Sequence, residues 1–361
     1  MIFDLFERER AAQRPLVAAF IVATEGSTYR KAGAWMLFAG DGERAGLLSG
    51  GCLESDLAER AQRLLAGRER VAIAEYDNRS ADDPIWGLGL GCEGLMRIAL
   101  LRIDAAAQYQ PLAELQRCHA GRSPGAFAFA LAAPGGVWVA DGLATPPAAV
   151  AAALSRRRAA PSEGSSDAAG GGSSGGIEAL AIGTGPAVAV FTARIAPSPA
   201  LLICGAGPDA APVAEWASRL GWHVTVVDHR PAYVADARAR FPGVRHVLQV
   251  DAETLARALP LAGFAAAIVM SHHLVADGHY LAALAGTPVP YVGLLGPGAR
   301  RERLFAELGP ERTALLRQRL RAPIGLDLGG RTPEAIALSI VAEIQSMLSS
   351  ASGQPFSRRS Q

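Results

Sequence analysis

The stretch 201-LLICGAGPDAAPVAEWASRLGWHVTVVD-228 limits the fold of this chain more than any other. Residues 201–204 form a short, wholly apolar run, as a parallel strand buried on both faces requires. Gly205-x-Gly207 follows, then a segment with helical character over about 212–220, then a second strand at 223–228. That strand ends in Asp228, at the spacing from the glycines at which a carboxylate meets a ribose 2′-hydroxyl. Strand, glycine turn, helix and strand in this order predict a Rossmann-like sheet. The alternation continues with strands at 246–250, 264–270 and 289–295 and helices from Ala252 and Asp277, a doubly wound parallel α/β pattern. The segment 332-TPEAIALSIVAEIQSML-348 adds a closing helix, with a Thr N-cap, Pro in its first turn and a stripe of Ile336, Ile340, Ile344 and Leu348.

The glycine turn departs from a phosphate-binding loop. Its third glycine position holds Ala210, Pro208 offers no N–H, and Asp209 puts negative charge where a helix N-terminus attracts pyrophosphate. These residues fit either an NAD(P) site on Gly205, Gly207 and Asp228 or a Rossmann-like fold whose nucleotide site is altered or lost. Ligands of such sheets bind at the carboxyl ends of the strands, where further segments are expected to converge. One is 271-SHHLVADGH-279, whose His272, His273, Asp277 and His279 suit a metal or, since adjacent histidines on an extended segment point apart, hydrogen bonds to a ligand or to the loop. Another is 293-GLLGPGARRER-303, where Gly293, Gly296, Arg300 and Arg301 read as a phosphate cradle or as a tight turn before a solvated basic helix. In 323-PIGLDLGGRTPE-334, Asp327 is a candidate polar anchor among turn glycines.

The remainder predicts a mixed α+β domain over 1–197, ahead of the Rossmann-like domain at 198–349 and a disordered tail at 350–361. Strand candidates lie at 16–26, 34–39, 45–49, 71–77, 95–101 and 187–197, with a hairpin joining 126–133 to 137–140. Leu53, Leu57, Ala61, Leu64 and Leu65 mark one amphipathic helix. The Gly/Ser/Ala-rich stretch 155–176 has no apolar periodicity and is read as a flexible loop.

Composition narrows the function classes. Half of the 361 residues are apolar and 19% are charged, a globular balance that allows about two domains. A net charge of +1, scattered arginines and few aromatics give no footprint for nucleic acid. No apolar run is long enough to span a bilayer and the N-terminus lacks a signal-peptide core, so a cytoplasmic location is expected. The cysteines Cys52, Cys92, Cys118 and Cys204 form no CxxC pair and are read as reduced thiols.

Two of these cysteines follow glycines. In 48-LSGGCLESDL-57, Cys52 sits behind Gly50 and Gly51 and ahead of the amphipathic helix. The helix terminus favours a thiolate there, Glu54 in the first turn opposes it, and the glycines let a ligand approach the backbone. A tight-turn or core role is the alternative. Cys92 lies in a second such turn, 87-GLGLGCEGLM-96, which raises the prospect of a shared site. Cys204, in a strand, is expected in the core, and nothing singles out Cys118.

The chain resembles the XdhC/CoxI family of maturation factors for xanthine dehydrogenase and related molybdenum hydroxylases. The resemblance rests on 25-EGSTYRKAGAWML-37, 48-LSGGCLESDL-57, 85-IWGLGLGCEG-94, 201-LLICGAGPDAAP-212, 223-HVTVVDHRP-231, 270-MSHHLVAD-277, 291-YVGLLGP-297 and 323-PIGLDLGGRTPEAIALSIVAEI-344. It implies an accessory protein in a non-catalytic or quasi-catalytic role, a molybdenum-cofactor chaperone. Such a protein holds the molybdopterin while a cysteine desulfurase sulfurates it and then helps insert it into the apo-hydroxylase, of xanthine, aldehyde or CO dehydrogenase type. Cys52 is then the candidate molybdenum ligand, helped by Cys92, with Ser27, Tyr29 and Arg30 lining the same site; a soft metal favours thiolate. The Rossmann crevice is a candidate for the pterin phosphate or a dinucleotide form. Many relatives carry His-Val-Gly where this chain has Pro208-Asp209-Ala210. An NAD(P)-dependent oxidoreductase using His272 or His273 is the competing reading, and a homodimer is the default expectation for the assembly.

Overall fold

Strand β1 (Leu16–Gly26) is buried on both faces from Leu16 to Val22, and the first half of the molecule is layered around it. The structure, a computed structural model, describes residues 2–77, 94–132, 135–142, 144–160, 173–182 and 186–358. β1 pairs antiparallel with β2 (Trp35–Ala39) and with β5 (Gly94–Ile103); β3 (Arg44–Gly46) and β4 (Val71–Asp77) complete a five-stranded sheet, β3-β2-β1-β5-β4. A second, four-stranded sheet has the order β7-β6-β9-β8, from β6 (Gly125–Ala130), β7 (Val137–Val139), β8 (Ser173–Ala181) and β9 (Ala187–Ile195). Helices α1 (Ile2–Ala11), α2 (Glu54–Ala66), α3 (Leu112–Gly121) and α4 (Ala148–Ala159) cover the sheets.

The period-two alternation of β1 sorts the core. Leu16, Ala18, Phe20 and Val22 face the second sheet and join Phe127, Phe129 and Phe191. Phe20 lies 5.4 Å, ring to ring, from both Phe127 and Phe129, within the range of favourable aromatic pairs. Val17, Ala19 and Ile21 face the other way, onto Leu57, Ala61 and Leu64 of α2. The amphipathic stripe read from the sequence is thus the face that α2 buries. On the far side of the second sheet, Ala126, Ala128 and Val190 meet Val150, Ala153 and Leu154 of α4.

Residues 155–176, expected to be a loop, contribute to regular structure at both ends. α4 extends to Ala159, carried by its alanine run and by Arg156 and Arg157, which pair with Glu178 at 2.8 and 3.3 Å. β8 starts at Ser173 as an edge strand, where backbone pairing with β9 needs no apolar side chains. A Cβ at Gly175 would come within 2.3 Å of the Phe191 ring, so the glycine reflects packing.

The second unit is the predicted parallel sheet. Its strands are β10 (Ala200–Cys204), β11 (His223–Asp228), β12 (His246–Gln249), β13 (Ala266–Val269), β14 (Val292–Leu294) and β15 (Leu320–Arg321), in the order β12-β11-β10-β13-β14-β15. The connecting helices are α5 (Ala210–Arg219), α6 (Pro231–Ala235), α7 (Ala237–Arg240), α8 (Leu255–Ala258), α9 (Leu274–Ala285), α10 (Gly298–Leu316) and α11 (Pro333–Leu348). The order reverses between β10 and β13, the switch point at which this class of sheet opens a crevice. Two helix starts differ from expectation. A 3-10 turn, Ala252–Thr254, precedes the single α-helical turn of α8. α9 begins ahead of Asp277 because His273 caps it, its Nδ1 accepting the Ala276 N–H at 3.3 Å. α10 breaks at Gly309, φ +79°, before Pro310. The chain divides into two compact units, Met1–Pro197 and Ser198–Gln361. Among the described residues no helix is long and apolar enough to cross a membrane.

Candidate functional site

Strand register gathers the candidate residues of the first unit at one end of the five-stranded sheet. β1 ends there at Gly26, opposite Gly94, where β5 begins. β2 begins there, Trp35 lying opposite Phe20, and β3 ends there, Gly46 lying opposite Met36. α2 starts at the same end, since Asp56 in its first turn accepts the Tyr76 hydroxyl at 2.5 Å. Residues 26–34 and 47–53 therefore emerge together, which brings Ser27, Tyr29, Arg30, Gly50, Gly51 and Cys52 to one sheet end. Ser27 and Tyr29 are exposed and Arg30 is half-buried. The turn at 26–31 packs tightly on β5: a Cβ at Gly94 would lie 2.5 Å from the Ser27 carbonyl oxygen. Cys92 lies outside the described residues, two positions before Gly94.

The loop 48–53 is an open turn on a polar anchor. Gly51 adopts φ +108°, the left-handed region that favours glycine, and a Cβ at Gly50 or Gly51 would meet nothing within 4 Å. The backbone is thus open to approach, and the Cys52 thiol is exposed. Beneath it, Ser49 and Glu54 are buried. Glu54 Oε1 accepts the N–H groups of Leu48 and Ser49 at 3.1 and 2.8 Å, and Oε2 accepts the Ser49 hydroxyl at 2.6 Å. Ser49 Oγ accepts from Gly51 N–H, Leu53 N–H and the Cys52 thiol at 3.3, 3.2 and 3.4 Å. Burial works against a charge on Glu54, but the hydrogen bonds from Ser49 and the neighbouring N–H groups outweigh it and hold the carboxyl below the usual range. Glu54 is therefore engaged with the loop backbone, a role that its place beside a helix start does not announce. Its separation from Ser49 does not match the capping-box spacing, so no sequence signal marked the pair.

The second unit places its predicted residues at the strand ends, but with their polar groups already engaged. Gly205, φ +128°, is required by close approach, since a Cβ there would lie 2.5 Å from the Met270 carbonyl oxygen. Asp228 is fully buried. Its carboxylate accepts Ala206 N–H at 2.7 Å, Arg230 N–H at 2.9 Å, and the Arg230 guanidinium at 2.9 and 2.7 Å. Burial opposes its charge, but Arg230 and the two N–H groups prevail and hold the carboxyl below its ordinary value. A ribose hydroxyl would have to displace those bonds. Beside Gly207, the Asp209 carboxylate reaches His272 Nε2 at 2.7 Å across the switch point.

The histidines diverge. His272 turns to Asp209, His273 caps α9, and His279 Nδ1 faces Glu253 at 3.5 Å. Among the described residues no group of three or more His, Cys, Asp or Glu side chains is placed to hold a metal ion. Asp277 is buried and accepts the Ser271 hydroxyl at 2.5 Å and Arg300 at 2.6 Å, so Arg300 serves an ion pair. Arg301 donates to the Ala322 carbonyl at 2.8 Å. Gly293 makes room for Ile324, whose Cδ1 would be 2.0 Å from a Cβ, and Gly296, φ +131°, turns the chain into α10 against the Arg300 stem. Asp327 is exposed. Its loop is held by α11, where Glu343 accepts Gly325 N–H at 2.9 Å and the Tyr291 hydroxyl. Cys204 is buried and Cys118 is packed beneath Gly125, so Cys52 is the exposed thiol among the described cysteines.

Fold and site together define a two-unit α/β protein, with an open Gly-Gly-Cys loop in the first unit and a Rossmann-type second unit whose ribose-binding position is taken by an internal ion pair. The chain belongs to the XdhC/CoxI family. Residues 201–344 match the XdhC Rossmann domain, and residues 9–77 match the XdhC and CoxI family. A probable xanthine dehydrogenase subunit of Bacillus subtilis is 32% identical over 334 residues, 92% of this chain and 93% of the relative. The protein YqeB of Escherichia coli is 28% identical over 182 residues, 49% of this chain and 32% of its own length. The crystal structure of a xanthine dehydrogenase from Bacillus halodurans matches with a TM-score of 0.74 at 28% identity, covering 99% of this chain and 97% of that one.

Proposed function

We propose that this protein holds molybdenum cofactor as cargo and delivers it, after sulfuration by a cysteine desulfurase, to a xanthine dehydrogenase-type apo-hydroxylase. The observation that carries the reading is the exposed Cys52 thiol on a turn whose glycines leave the backbone open to a bulky ligand. The donor set fits the cargo. Molybdenum in a pterin dithiolene is soft enough to take a thiolate, and Cys52 supplies one. Ser27 and the turn around it offer polar groups at the same sheet end, and the Arg30 guanidinium is the group suited to the pterin phosphate. Cys52 binds the metal, Gly50 and Gly51 admit the pterin, and the family's link to xanthine dehydrogenase supports this client class. The protein transfers cargo and carries out no bond chemistry of its own.

The Rossmann-type unit gives less support to an NAD(P)-dependent oxidoreductase. Asp228 is committed to Arg230 and Ala206, Pro208 has no N–H, and Asp209 holds the N-cap position of α5, where its negative charge disfavours a pyrophosphate at that helix N-terminus.

The test is anaerobic mixing of the full chain with released molybdenum cofactor, followed by desalting and measurement of bound molybdenum and pterin. Wild type retains both near one per chain, and Cys52→Ser loses at least tenfold in retention. Retention by neither protein overturns the cargo reading. Equal retention by both keeps the cargo and removes Cys52 from the site.

A further inference from the structure

The two sheets of the first unit leave an opening between β4 and β5 on one side and the β6–β7 hairpin on the other. A cavity of about 700 Å³ occupies it, within the range of about 300–1,000 Å³ in which small-molecule sites fall. Its walls are aliphatic: Val71 and Leu101 from the five-stranded sheet, and Leu131, Val137 and Val139 from the hairpin. Small residues, Ala106, Ala132 and Gly142 among them, line much of the rest, so the protein does not fill the space with its own side chains.

The floor is built to hold its shape. Asp104 Oδ1 accepts Ala107 N–H at 3.2 Å, and the same carboxylate takes Arg70 in two hydrogen bonds of 3.0 and 2.9 Å. One acid thereby fixes both the 3-10 turn Ala105–Ala107 and the start of β4. The next two residues, Gln108 and Tyr109, adopt φ +52° and +56°, a left-handed pair that costs energy in residues other than glycine. Tyr109 is buried, its ring 6.2 Å from that of Phe6, which holds the turn in place and leaves Gln108 exposed at the cavity.

The rim sets the chemistry of the guest. Arg70 is spent on Asp104, whereas the exposed side chains of Glu69 and Gln108 make no hydrogen bond or ion pair among the described residues. The unengaged rim groups are thus a carboxylate and an amide, and a carboxylate accepts from a donor. A slot bounded by two sheet layers is flat. We infer that this cavity is a second binding site, for a small planar ligand of the uncharged aromatic-amine class, whose apolar rings lie between the aliphatic walls and whose N–H donates to Glu69 at the rim.

This site is separate from the Cys52 loop. Leu101 lies seven residues along β5 from Gly94, the end at which residues 47–53 emerge, a span of about 20 Å. A ligand here neither touches Cys52 nor depends on a metal there.

The experiment titrates N-phenyl-1-naphthylamine, an uncharged aromatic amine that brightens when withdrawn from water, into the full-length protein without molybdenum cofactor. Wild type is expected to show a single saturable site per chain with a micromolar Kd. Ala106→Trp and Ala132→Trp each put a large ring at the cavity from an exposed position and are expected to weaken binding at least about tenfold, with far-UV circular dichroism unchanged. Glu69→Ala is expected to weaken it about threefold, the loss of one hydrogen bond at an exposed rim. Cys52→Ser is expected to bind as wild type does. Absence of a saturable site, full affinity in a folded tryptophan variant, or full affinity in Glu69→Ala overturns the inference. If one tryptophan variant does not fold, the other decides, since the two stand on separate elements. Weakened binding in Cys52→Ser places the dye in the cargo loop and overturns the second site. A wild type that takes the dye but retains no molybdenum leaves this site standing, so its failure and that of the cargo reading are distinguishable.

Discussion

Replacing Asp228 by Asn tests whether this carboxylate is a structural anchor. In the folded chain it is fully buried and accepts from Ala206 N–H, Arg230 N–H and two guanidinium nitrogens of Arg230. Asn keeps one acceptor oxygen, and its amide must point a donor at groups that are themselves donors. Removing one partner of a buried ion pair costs about 3–5 kcal/mol. The Arg230 side chain keeps 30% exposure and can turn toward water, so the cost here is lower, about 2–4 kcal/mol. At about 3 °C per kcal/mol, the transition of the second unit falls by roughly 6–12 °C in scanning calorimetry at neutral pH. The sign of the pH effect follows from the depressed carboxyl. A group of this kind stabilises above its unfolded value, about 3.9, and the stabilisation is lost as pH falls through the lower folded value. The gap between wild type and Asp228→Asn therefore narrows below about pH 4. A drop under about 2 °C at neutral pH, or a gap that widens on acidification, refutes the anchor and reopens Asp228 as a free ligand acceptor.

Further expectations follow from the same geometry. Gly205→Ala forces a Cβ to within 2.5 Å of the Met270 carbonyl at φ +128°, and urea titration should show a loss of about 2–4 kcal/mol. Gly94→Ala puts a Cβ 2.5 Å from the Ser27 carbonyl, so cargo retention should fall several-fold while the calorimetric transition of the second unit stays unchanged. NAD(P)H titrated into wild type by calorimetry should give no saturable heat at micromolar concentrations, and a clear isotherm would restore the nucleotide reading.

The fold was legible where one periodicity ruled alone. The wholly apolar strand 201–204, the second strand at 223–228 and the stripe on α2 each have one solution, and the structure follows them. Composition misled where packing decided. Gly175 lies in an edge strand where the Phe191 ring leaves no room for a side chain, which a window of Gly and Ser cannot reveal. The site was legible in its residue types and less so in its bonds. Gly205 and Asp228 stand where the fingerprint puts them, yet the partner of Asp228 is Arg230, two residues on, and spacing alone does not say whether an acid is free. Likewise the Gly-Gly-Cys turn was visible, while Ser49 and Glu54 took their meaning only from burial.

The most direct measurement is X-ray absorption at the molybdenum edge on wild type loaded with cofactor and on any molybdenum retained by Cys52→Ser. Wild type should show one protein-derived sulfur beyond those of the pterin dithiolene, and the variant should lack it. The same sulfur count in both proteins would contradict Cys52 as the ligand.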